Sequence, residues 1–420
     1  MFGSWLGAKK RATAIVVDDL AGLRPYAQLP RATIESSLYL VERIHLKPGV
    51  IGDELPADRT LFLHSGSLQL QTVSGFVLHL DADSPQARFP LPDRSTLVSL
   101  YAAEPSAILV VPTELASDTD GPASQNPDIA EPDTLKLSAE ESDAFEDLRA
   151  YFRKEHCELP SLPDLALKIG KAIDDRNNDN ADIARLIQLD PSLTARIISV
   201  VNSAAFGGLN KITSTAQATA RLGRKKVRSL VYSCLLKSIF KVKSTTLKKR
   251  MESLWQHSAS VAALSYVMGR ETPGIDPEQA LLAGLVHDIG AVAVIGGINK
   301  YPVLANREAV MDLAISSLRM EAGVRTLKQW KLQNEFAEVV RNSSNWYRIG
   351  SAIPDNTDVV ILARMHALIG TPEQADLPRI DDVPAFSKLA RGELSPQQSL
   401  TLLEEAAEDV REVRALISGH

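Results

Sequence analysis

The 420-residue chain has two cysteines, Cys157 and Cys234, and no run of about 20 uncharged apolar residues. Two cysteines exclude a disulfide scaffold and a multi-cysteine metal site, and they fit a reducing compartment. Without a long uncharged apolar run, no membrane span is expected. The N-terminus, MFGSWLGAKKR, places its positive charge after its few apolar residues and no cleavage pattern follows, so no secretory signal is expected either. Cytoplasmic localisation is the resulting expectation. Basic residues are also in deficit: the formal net charge is −6, which argues against nucleic-acid binding by bulk charge. What is present is an ordinary globular composition, 45% hydrophobic and 23% charged. The length suggests two or three domains.

Residues 1–116 carry short apolar runs with period-two alternation, among them LVERIHL, TLFLHSG, SLQLQTV, FVLHLDA and AILVVPT. Gly, Pro and Asp punctuate them, which predicts an antiparallel sandwich or barrel. Residues 117–137 read as an acidic linker. Between 117 and 147 ten acidic residues face one base, Lys136. At Ser138 a capping box, Ser-Ala-Glu-Glu, announces helix. Residues 138–420 are helix-periodic almost throughout, with apolar stripes at three-to-four spacing. Asp190-Pro191 supplies one helix start, and Ser395-Pro396 is read as the start of a final helix. The predicted fold class is multidomain α and β: a β domain resembling a jelly roll, then an all-α domain.

Residues 159–242 contain Leu159-Pro160-Ser161-Leu162-Pro163, then IARLIQLDPSLTARIISVVNSAAFG and ITSTAQATARLGRKKVRSLV. With these motifs the stretch resembles the HDOD family, the non-catalytic relatives of HD-domain phosphohydrolases. Further on, LWQHSASVAALSYVMG and LLAGLVHDIG resemble the helices that bear the His and the His-Asp doublet of the wider HD superfamily. The resemblance implies metal positions at His257, His287 and Asp288. In catalytic relatives such residues hold a metal that activates water. The downstream positions that complete the ligand set there hold Arg319, Ser343, Ser344 and Ala367 here, with His366 beside the last. A guanidinium repels a metal. The site is therefore read as vestigial, with no catalytic residues, no metal and no cofactor.

Eleven bases and no acid lie between Arg221 and Arg250. The segment has few aromatic residues and no base-stacking array, so it reads first as a solvated face, second as a dock for the acidic linker of the same chain or an acidic partner, and third as a nucleic-acid or nucleotide surface. Asn202, Arg224, Lys225, Lys226 and Arg228 are retained as candidate interaction residues. Asn202 is included because an amide at an otherwise apolar helix end needs partners if it is buried.

KPGVIGDELPADRTLFLHSGSLQL resembles the opening of a cyclic-nucleotide-binding jelly roll, with Pro48-Gly49, Asp53-Glu54 and Ser65-Gly66 at the family's positions. The resemblance places a phosphate-binding stretch at RFPLPDRSTLVSLYAAEPSA. It contains Arg88 and Arg94 but no glycine, so close backbone approach to a phosphate is hard to arrange. Cyclic nucleotide is accordingly not expected, and the β domain is read as a degenerate interaction module. His45, His64 and His79 fall on different strands and are read as surface or pairing residues.

Taken together these readings predict a bacterial signal-transduction protein that acts through protein contacts of an HDOD output domain. Its expected partners are signalling proteins, itself included as a homo-oligomer; membrane and nucleic acid are not expected partners. The alternatives are a metal-dependent HD-type phosphohydrolase or phosphodiesterase and a cyclic nucleotide sensor.

Overall fold

The computed structural model describes residues 15–24, 26, 29–51, 55–56, 59–73, 77–93, 96–112, 135–154, 157–203, 211–389 and 407–418. Asp53, Glu54, Arg94, Ser395 and nearly all of the acidic segment lie outside them. The chain divides into two compact units, each described here by itself. One holds residues 1–124 with the short segment Ile349–Ile353. The other holds Gln125–Arg348, Pro354–Leu389 and the C-terminal residues from Leu394.

Among the described residues the first unit has seven strands: β1 (Glu42–Leu46), β2 (Gly49–Val50), β3 (Arg59–Ser65), β4 (Ser67–Thr72), β5 (Val77–Asp81), β6 (Leu97–Ala102) and β7 (Ser106–Pro112). They form two antiparallel sheets, ordered β1-β7-β3 and β2-β6-β4-β5. Period-two patterning explains the second sheet. Leu68 and Leu70 are buried and pair with Leu80 and Leu100, while Gln69 and Gln71 turn outward. Strand β7 breaks that pattern, since AILVV is buried throughout. Ile108 and Val110 join the main core. Leu109 and Val111 meet Leu20 and Ile34 from two short helices, α1 (Val17–Ala21) and α2 (Arg31–Ser37), and Tyr26 from the segment between them. A continuous apolar run is what a strand covered on both faces requires. Between β3 and β4 the chain turns at Gly66, with φ of +83°. A Cβ there would also fall 2.8 Å from the Ser106 Cα, so only glycine fits.

The second unit is helical. Its first elements are α3 (Ala139–Arg153), α4 (Asp164–Asp174), α5 (Asn180–Gln188), α6 (Pro191–Asn202), α7 (Thr215–Leu222) and α8 (Arg224–Leu236). The capping box at Ser138 forms as read: Ser138 Oγ accepts from the Glu141 N–H, and Glu141 accepts from the Ser138 N–H. Asp190 caps α6, with Pro191 at the first position.

The centre of the unit comprises α9 (Thr245–Glu271), α10 (Pro277–Val286), α11 (Ile289–Ile298), α12 (Glu308–Trp330), α13 (Gln333–Asn342) and α14 (Asn356–Ala367). Two further helices, α15 (Pro384–Leu389) and α16 (Ala407–Ser418), follow. Helix α9 packs on α10, α14 and α16, and α11 packs on α12. The stretch Pro277–Ile298 is by length and composition apolar enough to cross a membrane, yet 89% of it is buried inside the protein. It is apolar all round because it is enclosed on every side.

Candidate functional site

The helix pair α10–α11 breaks at His287 and Asp288, so the doublet occupies a corner between two buried helices. His287 Nδ1 lies 2.7 Å from the Gly284 carbonyl. A carbonyl only accepts, so Nδ1 carries the proton and Nε2 is left as a bare acceptor. That Nε2 is buried and has no hydrogen-bond partner. The ring meets His257 of α9 edge to face, with centroids 5.5 Å apart. Burial, reinforced by His257 and Arg364, holds the His287 imidazole well below its ordinary pKa, so it stays neutral.

Asp288 faces Arg319 of α12 at 3.6 Å. The same guanidinium donates to Ser344 Oγ at 2.8 Å. Arg364 of α14 lies 4.8 Å from the Trp346 ring centroid and donates to the Ser343 carbonyl at 3.5 Å. Asp288, Arg319 and Arg364 line a cavity of about 680 Å³ together with His257 and Ala367. The structure thus gathers residues far apart in sequence around one hollow. His287 sits behind it, in contact with His257.

The buried Nε2 of His287, which has no hydrogen-bond partner, suits a metal, but the set as a whole does not. Among the described residues no three His, Cys, Asp or Glu side chains converge to hold an ion. Guanidiniums occupy the space beside Asp288 and below Ser343, where a cation would be repelled. The residues present do not fit a divalent metal centre.

The basic segment separates into two kinds of residue. Arg224 donates to the Ala172 and Asp175 carbonyls at 2.9 and 2.8 Å, capping the end of α4. Lys226 pairs with the buried Glu278 at 2.9 Å. Arg228 bridges Asp174 and Glu335 at 3.4 and 2.6 Å. Lys225 is exposed, as are Lys241, Lys243, Lys248 and Lys249. Asn202 clamps its own chain: its amide donates to the Ile198 and Ile212 carbonyls and accepts from the Ile212 N–H at 2.7 Å. In the β unit Arg88 is exposed at the end of a short 3₁₀ turn, Pro85–Arg88.

Sequence reasoning passed over Arg196, although it lies inside the quoted DPSLTARII run. Its guanidinium donates to the Cys234 carbonyl at 2.7 Å and to the Leu416 and Ile417 carbonyls at 3.2 and 2.7 Å. It therefore closes the C-terminal ends of α8 and α16 together. An arginine in an otherwise apolar helix was the available signal.

Residues 159–346 match the HDOD domain family. The chain carries an HDOD domain. An uncharacterised protein of Treponema pallidum is 26% identical over 226 residues, half of this chain, and that alignment spans only 40% of the relative's length. A crystal structure from Shewanella amazonensis, described as that of a candidate metal-dependent phosphohydrolase, aligns with a TM-score of 0.56. It shares 21% identity, covering 67% of this chain and all of the other. At that identity the likeness is one of fold. An HDOD protein of unknown function from Geobacter sulfurreducens aligns at a TM-score of 0.46 and 20% identity, covering 66% of this chain and 97% of the other.

Proposed function

We propose that this protein is a non-catalytic regulatory module, in which the HDOD helices pass a state change to a signalling partner by contact. The observation that carries the reading is the Arg319 guanidinium, 3.6 Å from Asp288 and bonded to Ser344. It places a fixed positive charge where the HD chemistry requires a metal cation. His287, neutral and turned to the Gly284 carbonyl, supports the corner between α10 and α11. The β unit is read as a ligand-free interaction module. In support, Arg88 points to solvent at the end of its turn, in the stretch where a cyclic phosphate would need a cradle.

The test combines metal analysis of the purified chain with turnover of bis-p-nitrophenyl phosphate and cyclic dinucleotides under added manganese or magnesium. No turnover above buffer is expected, and His257→Ala and His287→Ala should leave that baseline unchanged. Stoichiometric metal, together with turnover abolished by His287→Ala, overturns the reading.

A further inference from the structure

Three guanidiniums from three helices line the cavity: Arg250 of α9, Arg319 of α12 and Arg364 of α14. Two of them converge on a single turn, since Arg319 reaches Ser344 and Arg364 reaches Ser343. Neither swings freely. Arg364 is stacked on Trp346, and Arg319 is held between Asp288 and Ser344. A guanidinium fixed in place presents a planar fork that matches a tetrahedral oxyanion, with little rotamer entropy left to lose on binding.

The hydroxyls of Ser260, Ser316 and Thr371 add polar lining, while Ile295, Ile315 and Leu368 are apolar. At about 680 Å³ the cavity falls within the roughly 300–1,000 Å³ of small-molecule sites. Three carboxylates, Asp288, Asp312 and Glu373, also line it. Two are matched: Asp288 faces Arg319, and Asp312 pairs with Arg250 at 2.6 Å. Acidic groups also face Arg250, since Glu308 and Glu373 act on its partner Asp312. The attraction for an anion therefore comes from the fixed guanidiniums of Arg319 and Arg364.

We propose that the cavity binds a phosphate monoester with an aromatic or apolar body, and that it does so without a metal ion. The phosphoryl group is held by Arg319 and Arg364, and the body lies against Ile295, Ile315 and Leu368. The inference rests on the reading of the cavity as metal-free.

Calorimetric titration of the full chain with AMP, adenosine and inorganic phosphate, in excess EDTA, tests it. AMP is expected to bind saturably, with adenosine at least about tenfold weaker, since a charged hydrogen bond contributes about 1.5–3 kcal/mol. Arg319→Gln and Arg364→Gln should each weaken AMP by about tenfold or more. Ser316→Glu adds a carboxylate to the lining, and should abolish AMP binding in a chain that still unfolds at the wild-type temperature. Four results overturn the proposal: adenosine binding as tightly as AMP; no heat from AMP or phosphate up to about 5 mM; AMP affinity unchanged by Ser316→Glu; or binding that appears only on adding a divalent metal. Phosphate release from AMP, followed in the same samples, separates the two readings. It would sink the non-catalytic function while leaving the binding site in place.

Discussion

Gly290 lies against the backbone of Arg319: a Cβ at residue 290 would overlap the Arg319 carbonyl oxygen. The reciprocal contact is tight as well, since a Cβ on Gly323 would sit 3.2 Å from the Gly290 nitrogen. Helices α11 and α12 thus meet backbone to backbone, and this brings the Arg319 guanidinium to Asp288. Gly290→Ala must push the two helices apart. Overpacking of this kind costs about 1–3 kcal/mol. The melting temperature is expected to fall. An unchanged melting temperature would show that the helices separate without penalty, and that glycine does not set the position of Arg319.

Local rules made part of this structure legible in advance. The Ser138 box and the Asp190-Pro191 start act within four residues of themselves, so the text alone specifies them. Arg319, Ser343, Ser344 and Ala367 were recognisable as substitutions in a ligand set because a resemblance supplied the frame. Their mutual bonding was not visible, since Arg319 and Ser344 lie on different elements. The basic run misleads by the same logic. Arg224, Lys226 and Arg228 read as a solvated face, but each finds a partner about 50 or more positions away. Helices α1 and α2 also escaped a strand-based reading of the first unit. They are short, and packing against Phe62, Leu109 and Val111 holds them.

Arg196 is expected to act as a fastener for the last helix. Its donors meet carbonyls near the C-terminus of α16, where helix dipole and unpaired acceptors both favour a cation. Arg196→Met should strip those contacts and raise amide exchange in residues 407–418 by about tenfold or more, given about 1.5–3 kcal/mol for a charged hydrogen bond. Exchange in α11 should stay as it is. Uniform acceleration across the whole helical unit would mean that Arg196 supports the core at large.

Acid should destabilise the protein in part through His366. Burial lowers its pKa from 6.5 to about 4, so the folded chain holds it neutral while the unfolded chain protonates it. The unfolded state binds more protons between those values, so stability is complete above about 6.5 and falls as pH drops toward 4. The loss is on the order of 3 kcal/mol when complete. His287 adds in the same direction, for the same reason. The difference in unfolding free energy between wild type and His366→Gln, measured from pH 7 to 4, should shrink as pH falls. A constant difference would remove His366 as a source of acid sensitivity.

Lys388 and Asp358 form a fully buried pair at 2.6 Å, joined by Arg348 at 3.1 Å from the same carboxylate oxygen. Arg348 also holds Asp355 at 2.7 Å. Two carboxylates and two cations therefore balance inside the unit, fixing α15 to the start of α14. Removing one member leaves the others uncompensated in a low-dielectric interior, which costs about 3–5 kcal/mol. Lys388→Met retains the length and apolar stem of the lysine, so packing is nearly conserved and the charge alone is lost. Its destabilisation is expected in that range. Asp358→Asn in the Lys388→Met background should recover part of the loss, because it neutralises the carboxylate left without its ammonium. The comparison is a double-mutant cycle on unfolding free energies, and a coupling of about 1 kcal/mol or more is expected for a buried network. Strict additivity of the two substitutions would show that the ammonium and the carboxylate contribute independently, and that α15 is held by its apolar residues, Ala385 and Phe386 among them.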